Sequence, residues 1–466
     1  MSGEAGLDPR RWGALVVIAA AQLLIVLDSS VVNIALPSAQ AELGMGDAAR
    51  HWVVAAYTLT FGGFLLVGGR LADMVGRKKI FLVGVVGFAL TSLIGGLSAG
   101  ALMLPLARAA QGVFAALMAP AGLALLATAF QDPKERGKAF GVFGAAVGSG
   151  MAVGMVLGGV LTEFGSWRWC LLINVPLAVL VIVPALRLLD DSRGSGVAGY
   201  DLPGAITATA GVGSLVYGIG QAETQGWTHP ATVGFTVAGV VLLGLFLVIE
   251  RRSRRPIMPL RIVVDRVRGA GYLIVFLVGA ALLAFYLLLA YYLQLVRGYS
   301  PLLTGLVFVP SGLGIFIGSL GAGRLLAKTT PRVILITGLV LGVAGLAAFT
   351  ALDPATGIWS LVVPAQLVGG LGIGAALTTV TKITLDGVPP EDTGVASALT
   401  NAMRQIGGAV GVSLLNAVAL FATVGSGPEA LTDGYVAAFG VGAVLFAVAA
   451  AVALAATAPR RSTVPC

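Results

Sequence analysis

Charge is scarce in this chain. Asp, Glu, Lys and Arg make up 11% of its 466 residues, where a soluble domain carries about 25%. That scarcity excludes a solvated globular body, which needs charge over its surface. Cysteine and histidine are nearly absent, with two of each. Cys170 and Cys466 give no disulfide framework. His51 and His229 fall singly at expected span ends, so no ligand cluster for a metal is expected. Room for a soluble domain is also lacking, because the longest connection between apolar runs, near 251–269, has only about 19 residues.

Apolar length is what the chain has instead. Hydrophobic residues are 57% of it and the mean hydropathy is +0.96. Runs of about 20 apolar residues, enough to cross a bilayer as helices, recur from end to end. They predict an all-α polytopic membrane protein of fourteen spans, at 13–36, 52–70, 79–97, 101–128, 138–162, 169–189, 202–221, 231–250, 270–296, 302–326, 332–351, 358–380, 394–422 and 434–457. The 66 glycines suit helices that pack backbone to backbone in lipid. Ser38–Ala41 mimics a signal-peptide cleavage site, but the run before it is too long for one and carries an acid.

With the N-terminus in the cytoplasm and the spans alternating, the cytoplasmic side receives 24 of the 29 Lys and Arg residues. The outer side receives Arg50, Arg168 and Arg297, while Arg108 and Arg404 stay inside spans. This asymmetry is the positive-inside pattern, and it puts both termini in the cytoplasm. It also accounts for the net charge of +8 without a nucleic-acid partner, leaving the basic run 251–268 free to attract anionic lipid.

A faint internal repeat divides the chain. Gly69-Arg70-Leu71 and Gly323-Arg324-Leu325 are 254 residues apart, and Gly150 and Gly154 match Gly407 and Gly411 at an offset of 257. The repeat predicts two six-helix pseudo-symmetric bundles, 1–190 and 265–466, with two inserted linker helices and the basic loop in 191–264. Paired halves of this kind place a substrate site between them near the midplane.

Asp28 lies in the middle of the first apolar run and is expected to be the only acid deep in hydrocarbon. A carboxylate there costs about 2.5–3.5 kcal/mol even on the lenient scale, so it marks proton or ion handling. Arg108, in span 4, lies about 10 Å below the outer surface and Asp28 about 12 Å below it at the helical rise. Equal depth allows mutual compensation. Burial favours a protonated acid and a nearby guanidinium an ionised one, so relative motion of the two would switch proton binding. Arg404 lies about 15 Å deep with no acid of the second half at its level.

Several spaced motifs carry a resemblance. Gly68–Lys79, G-G-R-L-A-D-M-V-G-R-K-K, resembles the signature loop of the major facilitator superfamily. Leu27–Pro37, L-D-S-S-V-V-N-I-A-L-P, resembles the first-helix motif of that superfamily's fourteen-helix drug:proton antiporter branch, with Asp28 on the motif's acid. Arg108-Ala109-Ala110-Gln111-Gly112 is similar to the R-x-x-Q-G element. Gly148–Gly159 is similar to the antiporter glycine motif, with Met155 at its proline position. Ser166–Pro176, Tyr291–Pro301 and Asn401–Gly408 also resemble the branch; Ser166–Pro176 reads as structural.

The resemblance implies multidrug or antibiotic efflux: proton-coupled export, by alternating access, of hydrophobic compounds or antibiotics, cationic ones among them. No enzyme chemistry is implied and no cofactor, since the proton gradient drives the cycle. The expected partners are a small-molecule substrate, protons and membrane lipid, with the monomer as the working unit in the cytoplasmic membrane. Asp28 and Arg108 are the expected proton-coupling pair. Asn33, Tyr57, Gln111, Phe143, Tyr286, Tyr292, Gln294, Asn401 and Arg404 are the candidate cavity lining. Gly69, Asp73, Gly76, Arg77, Gly150, Gly154 and Gly158 are the candidate gating residues, with Gly69 and Gly76 in a tight turn and Asp73 against the start of span 13. Because Met155 replaces the export motif's proline, a proton-coupled uptake symporter of a small organic molecule on the same fold stays as the alternative.

Overall fold

The computed structural model describes residues 10–46, 50–130, 132–192, 201–253, 256, 258, 260–326, 328–388 and 393–456. Cys466, Arg254 and Arg255 lie outside the described residues, as do the side chains of Lys134, Arg136 and Lys138. The described residues are helical, and no strand occurs among them.

The helices run α1 (Arg10–Leu43), α2 (Trp52–Val75), α3 (Arg77–Gly96), α4 (Met103–Ala129), α5 (Pro133–Phe164) and α6 (Trp169–Leu188). Then come α7 (Leu202–Gln225), α8 (Pro230–Arg252), α9 (Arg266–Val296), α10 (Pro301–Leu325), α11 (Pro331–Ala351), α12 (Ile358–Leu385), α13 (Thr393–Ala422) and α14 (Pro428–Ala456). A short helix, Leu260–Val264, precedes α9. Eleven helices are long and apolar enough to cross a membrane, and α2 makes twelve when its two parts, bent by 50°, are taken as one. The chain is therefore a multi-pass membrane protein. α5 and α7 are helices at the other two expected spans but fall outside that count.

Local sequence explains where helices begin. Asp132, Asp201 and Ser300 accept hydrogen bonds from Glu135, Gly204 and Leu303 backbone N–H groups, with proline in the first turn each time. A side-chain acceptor answers an orphan N–H, and proline there gives up a donor the helix does not need. Gly76, at φ 125°, makes the break between α2 and α3, a backbone region that L side chains avoid.

Two expectations change here. Gly69 does not sit in a turn: α2 continues through Gly69-Arg70-Leu71-Ala72-Asp73 to Val75, so Gly69 is helical and faces Pro120 of α4. Those residues tolerate helix, and only Gly76 interrupts it. Asp28 is also not the only buried acid, since Asp201 and Glu250 are buried at helix ends. There Asp201 caps α7, and Glu250 accepts the Met258 N–H at 3.0 Å.

α1 to α6 pack on one another, and α9 to α14 do likewise. Glycines set the closest approaches, and they repeat. Gly154 and Gly158 of α5 lie against Leu27, Ser30 and Val31 of α1, while Gly407 and Gly411 of α13 lie against Phe276 and Ala280 of α9. Gly112 of α4 meets the α2 backbone at Tyr57 and Phe61, and Gly370 of α12 meets the α10 backbone at Ser311 and Ile315. A Cβ at any of these positions would collide with its neighbour, so packing in lipid depends on their having none. α7 packs on α8, α2 and α13, across the join of the two groups. One apolar core fills the inner part of α1 to α6. A larger one fills α9 to α14 and continues onto Val31–Leu36 of α1 and Val53–Ala55 of α2.

Candidate functional site

The helices bring one charged cluster together inside the first group. Asp28 of α1 is fully buried, and three side chains from two other helices donate to it. Arg108 Nη1 lies 2.5 Å from Oδ2, Gln111 Nε2 2.8 Å from Oδ1, and Asn174 Nδ2 2.6 Å from Oδ1. Arg108 and Gln111 are three residues apart on α4 and so share a face. Gln111 also accepts from Arg108 Nη1 at 2.5 Å, which locks the pair. Asn174 sits just past the break of α6 between Leu172 and Asn174. Ser92 of α3, fully buried, accepts from Gln111 Nε2 at 2.6 Å and Asn174 Nδ2 at 3.3 Å. Arg108 Nε donates to Val53 O of α2 at 3.2 Å, and its guanidinium lies 4.1 Å from the ring centroid of Tyr57.

Four helices thus surround α1's carboxyl group. Three donors meet it, the surroundings an acceptor-only carboxylate satisfies. In a low dielectric a close ion pair attracts strongly, but each charge is desolvated, so the pair holds only if hydrogen bonds fill the remaining positions. The cluster meets that condition at the carboxyl group.

Several expected cavity residues are placed differently. Gln111 and Tyr57 do not line a cavity: they are buried inside the first helix group, one on Asp28, the other under Arg108. Tyr286 is buried within the second group, its hydroxyl 2.9 Å from Ser311 Oγ. Tyr292 reaches the far end of that group, donating to Asp353 O at 2.7 Å. Phe143 packs on the inner apolar core. Asn33 is buried on α1 with Oδ1 unpartnered. Arg404 is part-buried and donates to Asn401 Oδ1 at 3.1 Å, one turn away on α13. Asp73 is paired with Arg77 at 2.8 Å, an i,i+4 ion pair in place of the expected contact with α13. Both ends of that pair lie on the stretch where α2 meets α3, which explains the substitution. Gly150, Gly154 and Gly158 serve the α1–α5 contact.

A second polar set joins the two helix groups at the end expected to face outward. Arg50 is buried, lies 4.2 Å from the ring centroid of Tyr291 on α9, and donates to Asn416 of α13 at 3.3 Å. Tyr291 donates to Gln40 of α1 at 2.8 Å, and Gln294 to Ile34 O at 3.0 Å. Leu302 N–H donates to Glu163 of α5 at 2.8 Å. Asn174, Ser92, Arg50 and Asn416 were not among the residues singled out from sequence. A polar side chain in an otherwise apolar span was the available signal for Asn174 and Asn416.

A family description, the Major Facilitator Superfamily, matches residues 18–412. This chain belongs to that superfamily. Among similar facilitators, the puromycin resistance protein pur8 of Streptomyces alboniger is 48% identical over 95% of this chain and 90% of its own length. The cephamycin export protein CmcT of Amycolatopsis lactamdurans is 39% identical over 94% of this chain and 91% of its own. The lincomycin resistance protein of Streptomyces lincolnensis is 33% identical over 98% of this chain and 94% of its own. Two solved facilitator folds are similar. The nucleoside transporter NupG has TM-score 0.68 at 14% identity, over 95% of this chain and all of its own. A bacterial homologue of the lysosomal transporter Spinster, inward-facing and unoccupied, has TM-score 0.65 at 17% identity, over 97% and 98%.

Proposed function

We propose that this facilitator exports hydrophobic small molecules of the antibiotic or drug type from the cytoplasm in exchange for protons. It is a transporter, driven by the proton gradient without a cofactor. The observation that carries the proton half of this reading is the buried Asp28–Arg108 pair with Gln111 closed around it. The efflux half rests on the relatives, which are named for export or for resistance to antibiotics.

The proposed cycle is alternating access between bodies 1–190 and 265–466, with α7 and α8 inserted, fourteen spans in all and both termini cytoplasmic. The polar set around Arg50, Tyr291 and Asn416 supports an outer face closed in this conformation. The cargo then binds between the halves from the cytoplasm. Arg404 and Asn401 supply its polar contacts, while Asp28, sealed inside the first half, acts on the cargo through conformation rather than touch. Protonation of Asp28 from outside loosens Arg108, and Arg108 releases Val53 and with it the outer end of α2. Gly69, Gly150, Gly154 and Gly158 keep helices close enough to move as bodies, and Gly76 with the Asp73–Arg77 pair forms the hinge of the inner loop.

The test is transport in everted membrane vesicles with puromycin as probe. The wild type accumulates it when a proton gradient is imposed, and Asp28→Asn, present at equal amount, does not. Wild-type accumulation by Asp28→Asn overturns the proton reading, and accumulation confined to right-side-out vesicles overturns export.

A further inference from the structure

We infer that Asn174 is the positioning residue that sets how readily Asp28 takes its proton, turning its amide between donor and acceptor as Asp28 changes state. This rests on the proton-coupling reading above and extends it to a residue outside the R-x-x-Q-G element.

Asp28 Oδ2 is engaged by Arg108, and Oδ1 by both Gln111 and Asn174. A proton arriving on Oδ1 makes that oxygen a donor, and it then needs an acceptor. Gln111 cannot turn to provide one, since its oxygen is held by Arg108 and its nitrogen by Asp28 and Ser92. Asn174 can. Its Oδ1 is buried with no hydrogen-bond partner, although its Nδ2 is engaged twice. Half a turn of that amide presents the unpartnered oxygen to the new O–H. An unpartnered buried carbonyl costs about 1–3 kcal/mol, and the turn removes that cost only when Asp28 is protonated. Ser92, against both amides, fixes the axis about which Asn174 turns.

The ionisable groups facing Asp28 are few. Arg108 comes from α4, Tyr57 from α2 and Cys170 from α6. α3 contributes the neutral Ser92, and α5 meets this turn of α1 with Gly154 and Gly158. α9 meets α1 further along, through Gln294 and Tyr291. Removing Asn174 therefore leaves the charge around Asp28 unchanged and takes away a donor and an acceptor. The donor to a carboxylate is the stronger of the two, since charge-assisted bonds are roughly twice as strong as neutral ones. The net effect favours the protonated acid.

The experiment is a pH titration of the full-length protein in lipid nanodiscs by infrared difference spectroscopy. It follows the carbonyl band of a protonated carboxylic acid, assigned to Asp28 by its loss in Asp28→Asn. Asn174→Leu should move the midpoint up by about one pH unit or more, Asn174→Gln should recover most of the shift, and Ser92→Ala should move it up by less. A wild-type midpoint in Asn174→Leu, or in Ser92→Ala where Asn174→Leu does not fold, overturns the assignment and leaves the coupling role of Asp28 standing. A band that persists in Asp28→Asn overturns the coupling reading itself.

Discussion

The two halves of this protein share a frame and differ in what they place at its centre. In the first half, Arg108 of α4 donates to Val53 O of α2. In the second, Gln366 of α12 donates to Val307 O of α10 at 2.8 Å. Val307 follows Val53 by 254 residues, the offset of the Gly-Arg-Leu repeat, and Gln366 follows Arg108 by 258, the offset of the packing glycines Gly112 and Gly370. The same hydrogen bond between the same pair of helices is thus made once by a cation and once by a neutral amide. At the position 254 residues after Asp28 stands Leu282. Leu282, Ser311 and Gln366 line a cavity of about 20 Å³. The lesson is that the architecture does not need the charges. The second half achieves the same helix contacts without them, so the Asp28–Arg108 pair is retained in the first half for what it does.

The comparison can be broken by exchange. Arg108→Gln should destabilise the protein by about 3–5 kcal/mol, because it leaves a buried acid without its cation. Adding Asp28→Asn should recover most of that loss, which a thermal-shift assay in detergent reads directly. Gln366→Leu should cost less, about 1–3 kcal/mol for an unanswered carbonyl, and leave the infrared midpoint of Asp28 where it was. Equal losses from the two exchanges would remove the distinction between the halves. Arg50→Ala, which unpicks the join between halves rather than either interior, should cost about 2 kcal/mol for a desolvated cation–π contact. It should raise labelling of a cysteine placed at Asn416, since the outer face opens more often. The smallest effect belongs to an acid outside the spans. Asp265 caps α9, and its bond from the Arg268 N–H holds its carboxyl below the ordinary 3.8. A depressed acid stabilises above its unfolded value, so this contribution is present from about pH 4 upward and fades as pH falls further. Asp265→Ala should cost about 1 kcal/mol and leave puromycin accumulation intact.

Helix positions and the depth of Asp28 and Arg108 could be read from the chain, because apolar run length and helical rise fix them. The rotation of each helix could not. A soluble helix turns its apolar stripe inward, but here lipid is as apolar as the protein interior, and α1 or α9 is apolar on every side. Tyr57 and Gln111 were therefore expected in the substrate path and instead complete the charged cluster. Asn174 was expected to be structural for the same reason, since nothing in Ile173-Asn174-Val175 says which way the amide points. Packing glycines were more legible than polar residues, because a close backbone approach demands them wherever the helix faces.

Arg108 has one further consequence, and it is electrical. The cluster holds one carboxyl group and one guanidinium, so taking a proton turns a neutral ensemble into a cation. Moving that cation through a membrane potential of 100 mV is worth about 2.3 kcal/mol. A cycle that carries one proton inward and one uncharged molecule outward therefore moves net charge and is helped by a negative cell interior. A singly cationic cargo travelling out cancels the proton travelling in, and voltage then contributes nothing. The charge of the cargo thus decides whether this carrier draws on both parts of the proton-motive force or on the pH difference alone.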